Sequence, residues 1–156
     1  MTARPFGVDD PRTVAVLRTY VKLMRASKAV LAHVEKRLNA EGLTATQIGV
    51  LEAILHKGTL TQRELGRKVL TSAGNMTDVI DKLEARGLVA RSRVQADRRS
   101  VRVELTEAGQ ALIERLFPIH AGDIAAAMAG IDDAELATLE RLLRKLGHAA
   151  GEAAAR

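Results

Sequence analysis

The stretch that most constrains this chain is residues 58–106, where helical periodicity gives way to a period of two. Thr61 and Glu64 form a capping box, because hydroxyl and carboxylate each satisfy an orphan amide at a helix start. Thr71 or Ser72 is placed to cap a second helix. In that helix Met76, Val79, Ile80 and Leu83 recur at three- and four-residue spacing and predict one buried stripe, which Gly87 ends. Beyond the glycine, Val101, Val103 and Leu105 alternate with Arg102 and Glu104, the pattern of a half-buried strand. Two short helices followed by a two-stranded basic hairpin make a winged helix-turn-helix.

The rest of the chain is organised around that unit. Residues 1–11 carry Pro5, Gly7 and Pro11 without periodic apolar residues and read as a loosely held arm. From residue 12 to the turn near Glu41 and Gly42, the spacing of Val14, Leu17, Val21, Met24, Leu31, Val34 and Leu38 predicts one long helix, 12–42. A second capping box, Thr44 with Gln47, opens a helix through Ile48, Leu51, Ile54 and Leu55 that Gly58 closes, so the winged unit spans 43–106. Thr106 caps the next helix, with Leu112, Ile113, Leu116 and Phe117 inward, and Pro118 is expected to interrupt or kink it because proline lacks the amide donor. That helix resumes through Ile124 to Met128. Ile131, Asp132, Glu135 and Leu136 supply a capping box and hydrophobic staple for a last helix bearing Leu139, Leu143 and Leu146. The flanking segments, 12–42 and 107–150, are read as dimerisation helices, and 151–156 as a frayed tail. The fold class is mainly α with a small β-hairpin wing. Packed only on each other, the two arms would leave much apolar surface uncovered, so a homodimer is expected. Two-fold symmetry then calls for an inverted-repeat duplex with half-sites about one helical turn apart.

Charge narrows the partner. The 156 residues carry a net +5, which suits a polyanion, and the hairpin sets Arg91, Arg93, Arg98, Arg99 and Arg102 against the single acid Asp97. Absence of cysteine excludes thiol redox sensing and thiolate metal sites. His33, His56, His120 and His148 show neither HxxxH nor HExxH spacing, so no metal or other cofactor is expected. No GxSxG, phosphate-binding or dinucleotide fingerprint occurs, and Asp132 and Asp133 are better helix caps than an acid/base pair, so the chain is not read as an enzyme. An aromatic content of 2% leaves almost no stacking platform for single strands. No apolar signal core begins the chain and no uncharged run approaches the ~18 residues of a membrane span, so a cytoplasmic protein without a membrane partner is expected.

Four signatures bear a family likeness: the LTxxQ opening at Leu43–Gln47, the RGLVxR helix exit at Arg86–Arg91, the DRR wing at Asp97–Arg99, and the LTxxG return at Leu105–Gly109. Together they resemble the MarR family of bacterial transcription regulators, over nearly half the chain as motif, and the flanking helices match that family's dimerisation arms. The phrase SAGNMTDVIDKLEARGLV is more similar to regulators of quinone and aromatic-compound stress than to the founding antibiotic-resistance branch. The resemblance implies a ligand-responsive repressor that binds double-stranded DNA.

Site residues follow in part from chemistry and in part from that likeness. With the apolar stripe inward, Ser72, Gly74, Asn75, Asp78 and Lys82 face outward, and the first turns of their helix would enter the major groove. Asn75 suits adenine, Ser72 and Thr77 can donate to phosphates or base edges, and Gly74 permits close backbone approach. Asp78 stands where many relatives carry arginine; it either accepts from cytosine or pairs with Lys82 one turn on. Gln62 and Arg63 are placed to hold phosphates, with Arg91 and Arg98 adding to the basic face. In the wing the resemblance makes Asp97 the brace and Arg99 the minor-groove reader, a role that suits a planar guanidinium in a narrow A·T-rich groove. It also implies a small phenol, aromatic acid or quinone in the cleft between arms and DNA-binding lobe, for which Tyr20, Met24, His33 and His120 are nominated. Tyr20 and Met24 equally fit core packing, and His33 and His120 equally fit ordinary polar roles. Two other readings stay open: a winged-helix module that meets an acidic protein, and a metal-responsive repressor using histidines and carboxylates.

Overall fold

In the computed structural model, residues 7–69, 73–94 and 97–154 are described, with backbone alone at 73, 93, 94, 97–100, 153 and 154. The elements run α1 (Pro11–Ala40), α2 (Ala45–Lys57), β1 (Leu60–Thr61), α3 (Gln62–Lys68), α4 (Ala73–Ala85), β2 (Val89–Val94), β3 (Asp97–Leu105), α5 (Glu107–Ala127) and α6 (Asp133–Ala154).

Helix starts follow the caps. Thr44 and Gln47 bond reciprocally, as do Thr61 and Glu64, and Asp132 with Glu135. Thr106 Oγ1 accepts from the Gly109 amide at 3.0 Å. Left-handed glycines mark the exits: Gly42 (φ 66°) after α1, Gly58 (φ 74°) after α2 and Gly87 (φ 68°) after α4, a conformation glycine adopts without Cβ strain. Caps of this kind typically contribute about 1 kcal/mol each. The cap expected at Thr71 or Ser72 lies outside the described residues.

The apolar stripes then build one core. Leu43, Ile48, Leu51, Leu65, Met76, Ile80, Leu83, Val103 and Ile113 are fully buried, joined by Val34 and Leu38 from α1 and Leu116 from α5. Each buried aliphatic side chain is worth roughly 1.5–3 kcal/mol, so the winged unit and the inner ends of α1 and α5 cohere as one body. The outer parts of the arms are different. Val16, Tyr20, Met24 and Leu31 on α1, Ile119 and Ile124 on α5, and Leu139, Leu142, Leu143 and Leu146 on α6 are exposed, and among the described residues no other element packs along the length of α6.

Four expectations change. The first helix begins at Pro11 rather than residue 12, because Asp10 caps it and accepts from the Thr13 amide at 2.7 Å, with proline at the first turn where no amide is missed. The sheet has three antiparallel strands in the order β1-β3-β2, since Leu60 and Thr61 pair with Val103 and Arg102. Pro118 does not interrupt α5, which runs through it to Ala127; flanking turns anchored by buried Leu116 and His120 hold the helix across the missing bond. Finally, α6 extends to Ala154, past the point where fraying was expected, in keeping with the high helix propensity of its alanines.

Candidate nucleic-acid interface

Burial divides α4 cleanly. Met76, Val79, Ile80 and Leu83 face the core, while Gly74, Asn75, Thr77, Asp78, Asp81 and Lys82 are exposed on one polar side. A Cβ placed on Gly74 would meet nothing within 4 Å, so this point of the helix is open to close approach from outside. Gln62 and Arg63 begin α3 beside it, and Gln62 Nε2 donates to Thr77 Oγ1 at 2.6 Å, tying the two helices at their outer edge. Lys82 donates to Asp78 at 2.7 Å, both more than half exposed. Asp78 thus has Lys82 as its partner in the free chain, and such an exposed pair holds little energy against a competing phosphate or base.

Arg91 sits differently from the other basic residues. Its guanidinium lies 2.5 Å from Asp81 and 2.6 Å from Glu84, and donates to the Thr77 carbonyl at 3.3 Å. Burial pulls its pKa down, but hydrogen bonds to Asp81 and Glu84 outweigh this and hold it above the ordinary arginine value. Arg102 is exposed on β3 opposite Ser92. β2 and β3 form the wing, with an irregularity between Arg93 and Val94 that brings Val94 opposite Asp97. Asp97, Arg98 and Arg99 lie on β3, in its backbone path; their side chains, and Ser72, lie outside the described residues.

A second set of contacts joins this lobe to the arms. Arg86, just past α4, donates to the Gly42 carbonyl at 2.6 Å and the Glu41 carbonyl at 3.2 Å, covering acceptors at the end of α1. Arg115 of α5 grips the Glu41 carboxylate at 3.1 and 3.4 Å. That hydrogen bond, with the charges of Arg115 and Arg86, holds the Glu41 carboxyl below the ordinary glutamate range. One turn pair further along, Arg37 reaches Asp123 at 2.7 Å.

The nominated effector residues differ in their exposure within the single chain. Tyr20 and Met24 are 58% and 45% exposed, His33 is exposed, and His120 is buried in α5 with Nδ1 unpartnered. Grooves of about 520 and 400 Å³ lie along α6, lined by residues such as Met128, Leu136, Leu139 and Leu143. Another histidine, His56, packs edge-on against Phe117 with ring centroids 4.9 Å apart. Among the described residues no three His, Asp or Glu side chains cluster as metal ligands, and no helix is long and apolar enough to cross a membrane.

A core-backed helix with a polar outer side, crossed by a second helix and flanked by a basic hairpin, defines a winged helix-turn-helix DNA-binding protein. Comparison with known proteins narrows the class. The sequence profile of the MarR family matches residues 41–100. The HTH-type transcriptional regulator MhqR of Bacillus subtilis (strain 168) is 32% identical over 131 residues, which cover 84% of this chain and 90% of MhqR. BpsR of Bordetella bronchiseptica, whose structure concerns regulation of DNA binding by 6-hydroxynicotinic acid, is 31% identical, with 83% of this chain and 98% of that one aligned at a TM-score of 0.76. A mutant MarR from E. coli complexed with operator DNA is 26% identical, with 88% and 99% aligned at a TM-score of 0.77. The chain belongs to the MarR family. Its relatives are transcriptional regulators, which makes its class regulatory and not enzymatic.

Proposed function

We propose that this regulator acts as a homodimeric repressor on an inverted-repeat operator and is released by a small aromatic ligand. The observation that carries the reading is the outward polar side of α4 beside a basic wing, on a fold shared with a relative bound to operator DNA. In this reading Asn75, Thr77 and the backbone at Gly74 meet the major groove, with Ser72 at the helix start. Gln62 and Arg63 hold phosphates, and Arg98 and Arg99, braced by Asp97, reach the neighbouring minor groove. The exposed apolar residues of α1, α5 and α6 support pairing of two chains, which would set the two copies of α4 about 34–36 Å apart on successive turns of the duplex. The effector reading draws support from the aromatic acid that regulates BpsR, and from the unpartnered Nδ1 of His120, a buried polar atom facing the requirement for a partner. Tyr20, Met24 and His33 would contribute from α1 once two chains meet.

Selection of binding sites from random duplex, repeated with a panel of phenols, aromatic acids and quinones, tests all three parts. The expected result is an inverted repeat preferred over random duplex by ~10³-fold or more, with affinity falling steeply as salt rises and weakened by one ligand class. Arg99→Ala should weaken binding by ~1–3 kcal/mol and relax the preference for flanking A·T pairs. Indifference to duplex sequence, at every salt concentration, would instead place the basic face against a protein.

A further inference from the structure

Arg91 lies at the foot of the wing, within the basic hairpin, where simple charge reading assigns it to phosphate. Its surroundings give it other work. The guanidinium spans Thr77, Asp81 and Glu84, residues at i, i+4 and i+7 of α4, and so follows one side of that helix for two turns. Its own amide also donates to Glu84 Oε1 at 3.2 Å, so backbone and side chain of one β2 residue share one carboxylate. The side chain is only 22% exposed, where that of Lys82 is 63% exposed. Two carboxylates around one guanidinium leave the cluster net negative, which repels a phosphate. A phosphate contact from Arg91 would first have to break two short ion pairs. Thr77 in turn takes Gln62, so α3, α4 and β2 meet around one helical position.

We infer that Arg91 is a positioning residue that locks the wing to α4, so that the major-groove reader and the minor-groove reader meet DNA at a fixed separation. The inference rests on the DNA-binding reading above. Loosening this lock lets the two readers engage separately, which costs discrimination between sequences but leaves the number of neutralised phosphates unchanged. Lysine at the same position cannot bridge three acceptors in a plane, so it restores the lock only in part.

The test uses the full-length protein, the inverted-repeat duplex that the wild type selects from a random library, and a random-sequence duplex of equal length, each titrated across a salt series. Arg91→Met should lose about tenfold or more on the selected duplex, keep its affinity for random duplex within about twofold, and keep the salt slope. The double variant Asp81→Asn with Glu84→Gln should lose discrimination in the same direction, although it removes negative charge beside the DNA. Exchanging the pair, Arg91→Glu with Glu84→Arg, should recover most of the discrimination. Equal losses on both duplexes with a salt slope lower by about one would make Arg91 a phosphate ligand and overturn the inference. So would tighter binding of both duplexes by the Asn/Gln double variant, which remains informative if Arg91→Met fails to fold. A wild-type protein that selects no duplex overturns the DNA reading itself, a result distinct from any failure at Arg91.

Discussion

Replacing Gly109 with alanine should be among the most damaging single-methyl changes in this chain. α5 starts directly against the turn between α4 and β2, and a Cβ on Gly109 would lie 1.8 Å from the Leu88 carbonyl oxygen and 2.8 Å from its carbon. Both are backbone atoms, so no rotamer change relieves the clash. Relief requires the first turn of α5 to withdraw by roughly 1.5 Å to reach an ordinary carbon–oxygen contact. Three bonds meet at that point: Thr106 N to Leu88 O at 3.2 Å, Thr106 Oγ1 to Gly87 O at 2.6 Å, and Gly109 N to Thr106 Oγ1 at 3.0 Å. Losing two of them at about 1 kcal/mol each, with ~1–3 kcal/mol of overpacking, gives a destabilisation of roughly 3–5 kcal/mol. Against a total of ~5–15 kcal/mol for a typical domain this is a large fraction. Urea unfolding followed by far-UV circular dichroism reads it directly. Gly74→Ala is the internal control, because its Cβ meets open space and alanine favours the helix; its stability should hold or rise by up to ~1 kcal/mol. A loss below ~1 kcal/mol for Gly109→Ala would show that the contact yields and that the reasoning is wrong.

Two further outcomes are expected. Because the Glu41 carboxyl is held below its unfolded value by Arg115, its ionised form stabilises the fold. That contribution is complete above the ordinary glutamate range, about 4.3, and fades as pH falls through the lowered folded value. Glu41→Gln should therefore flatten the acid limb of stability against pH, measured by thermal melts; an unchanged limb would take Arg115 out of the account. Leu139→Glu combined with Leu143→Glu should shift sedimentation from dimer to monomer while the circular dichroism of the winged unit persists, since both side chains are exposed in the single chain and absent from its core. A dimer of undiminished affinity would move the proposed interface off α6.

Much of this architecture was legible in local chemistry. Thr44 with Gln47, Thr61 with Glu64 and Asp132 with Glu135 are reciprocal caps that depend only on residues three apart, and the α4 stripe depends only on helical spacing. Features that depend on distant partners were not legible. β1 is two residues long and exists because Val103 and Arg102 lie alongside, which no period in Leu60 and Thr61 announces. The glycine of LTxxG was visible as a motif, but its reason, the nearness of Leu88, belongs to tertiary approach. Arg91 counted as one more positive charge until its carboxylate neighbours on α4 came into view. At the arms the spacing of Tyr20 and Met24 suited a core, yet in the single chain both are exposed.

The contacts of Arg86 and Arg115 with residues 41 and 42 bear on where this molecule can flex. With the buried Val34, Leu38, Leu83 and Leu116 beneath them, they join the inner stub of α1, the exit of α4 and α5 into one chassis, on whose exposed side Arg37 meets Asp123. A hinge inboard of those contacts would have to open that shared core as well as release two guanidinium groups. In the proposed dimer, a hinge outboard, in the slender outer reaches of α1 or at the corner between α5 and α6, would swing reader and wing together as a single tool head, so that small bends far from the duplex would become large changes in the stride between the two copies.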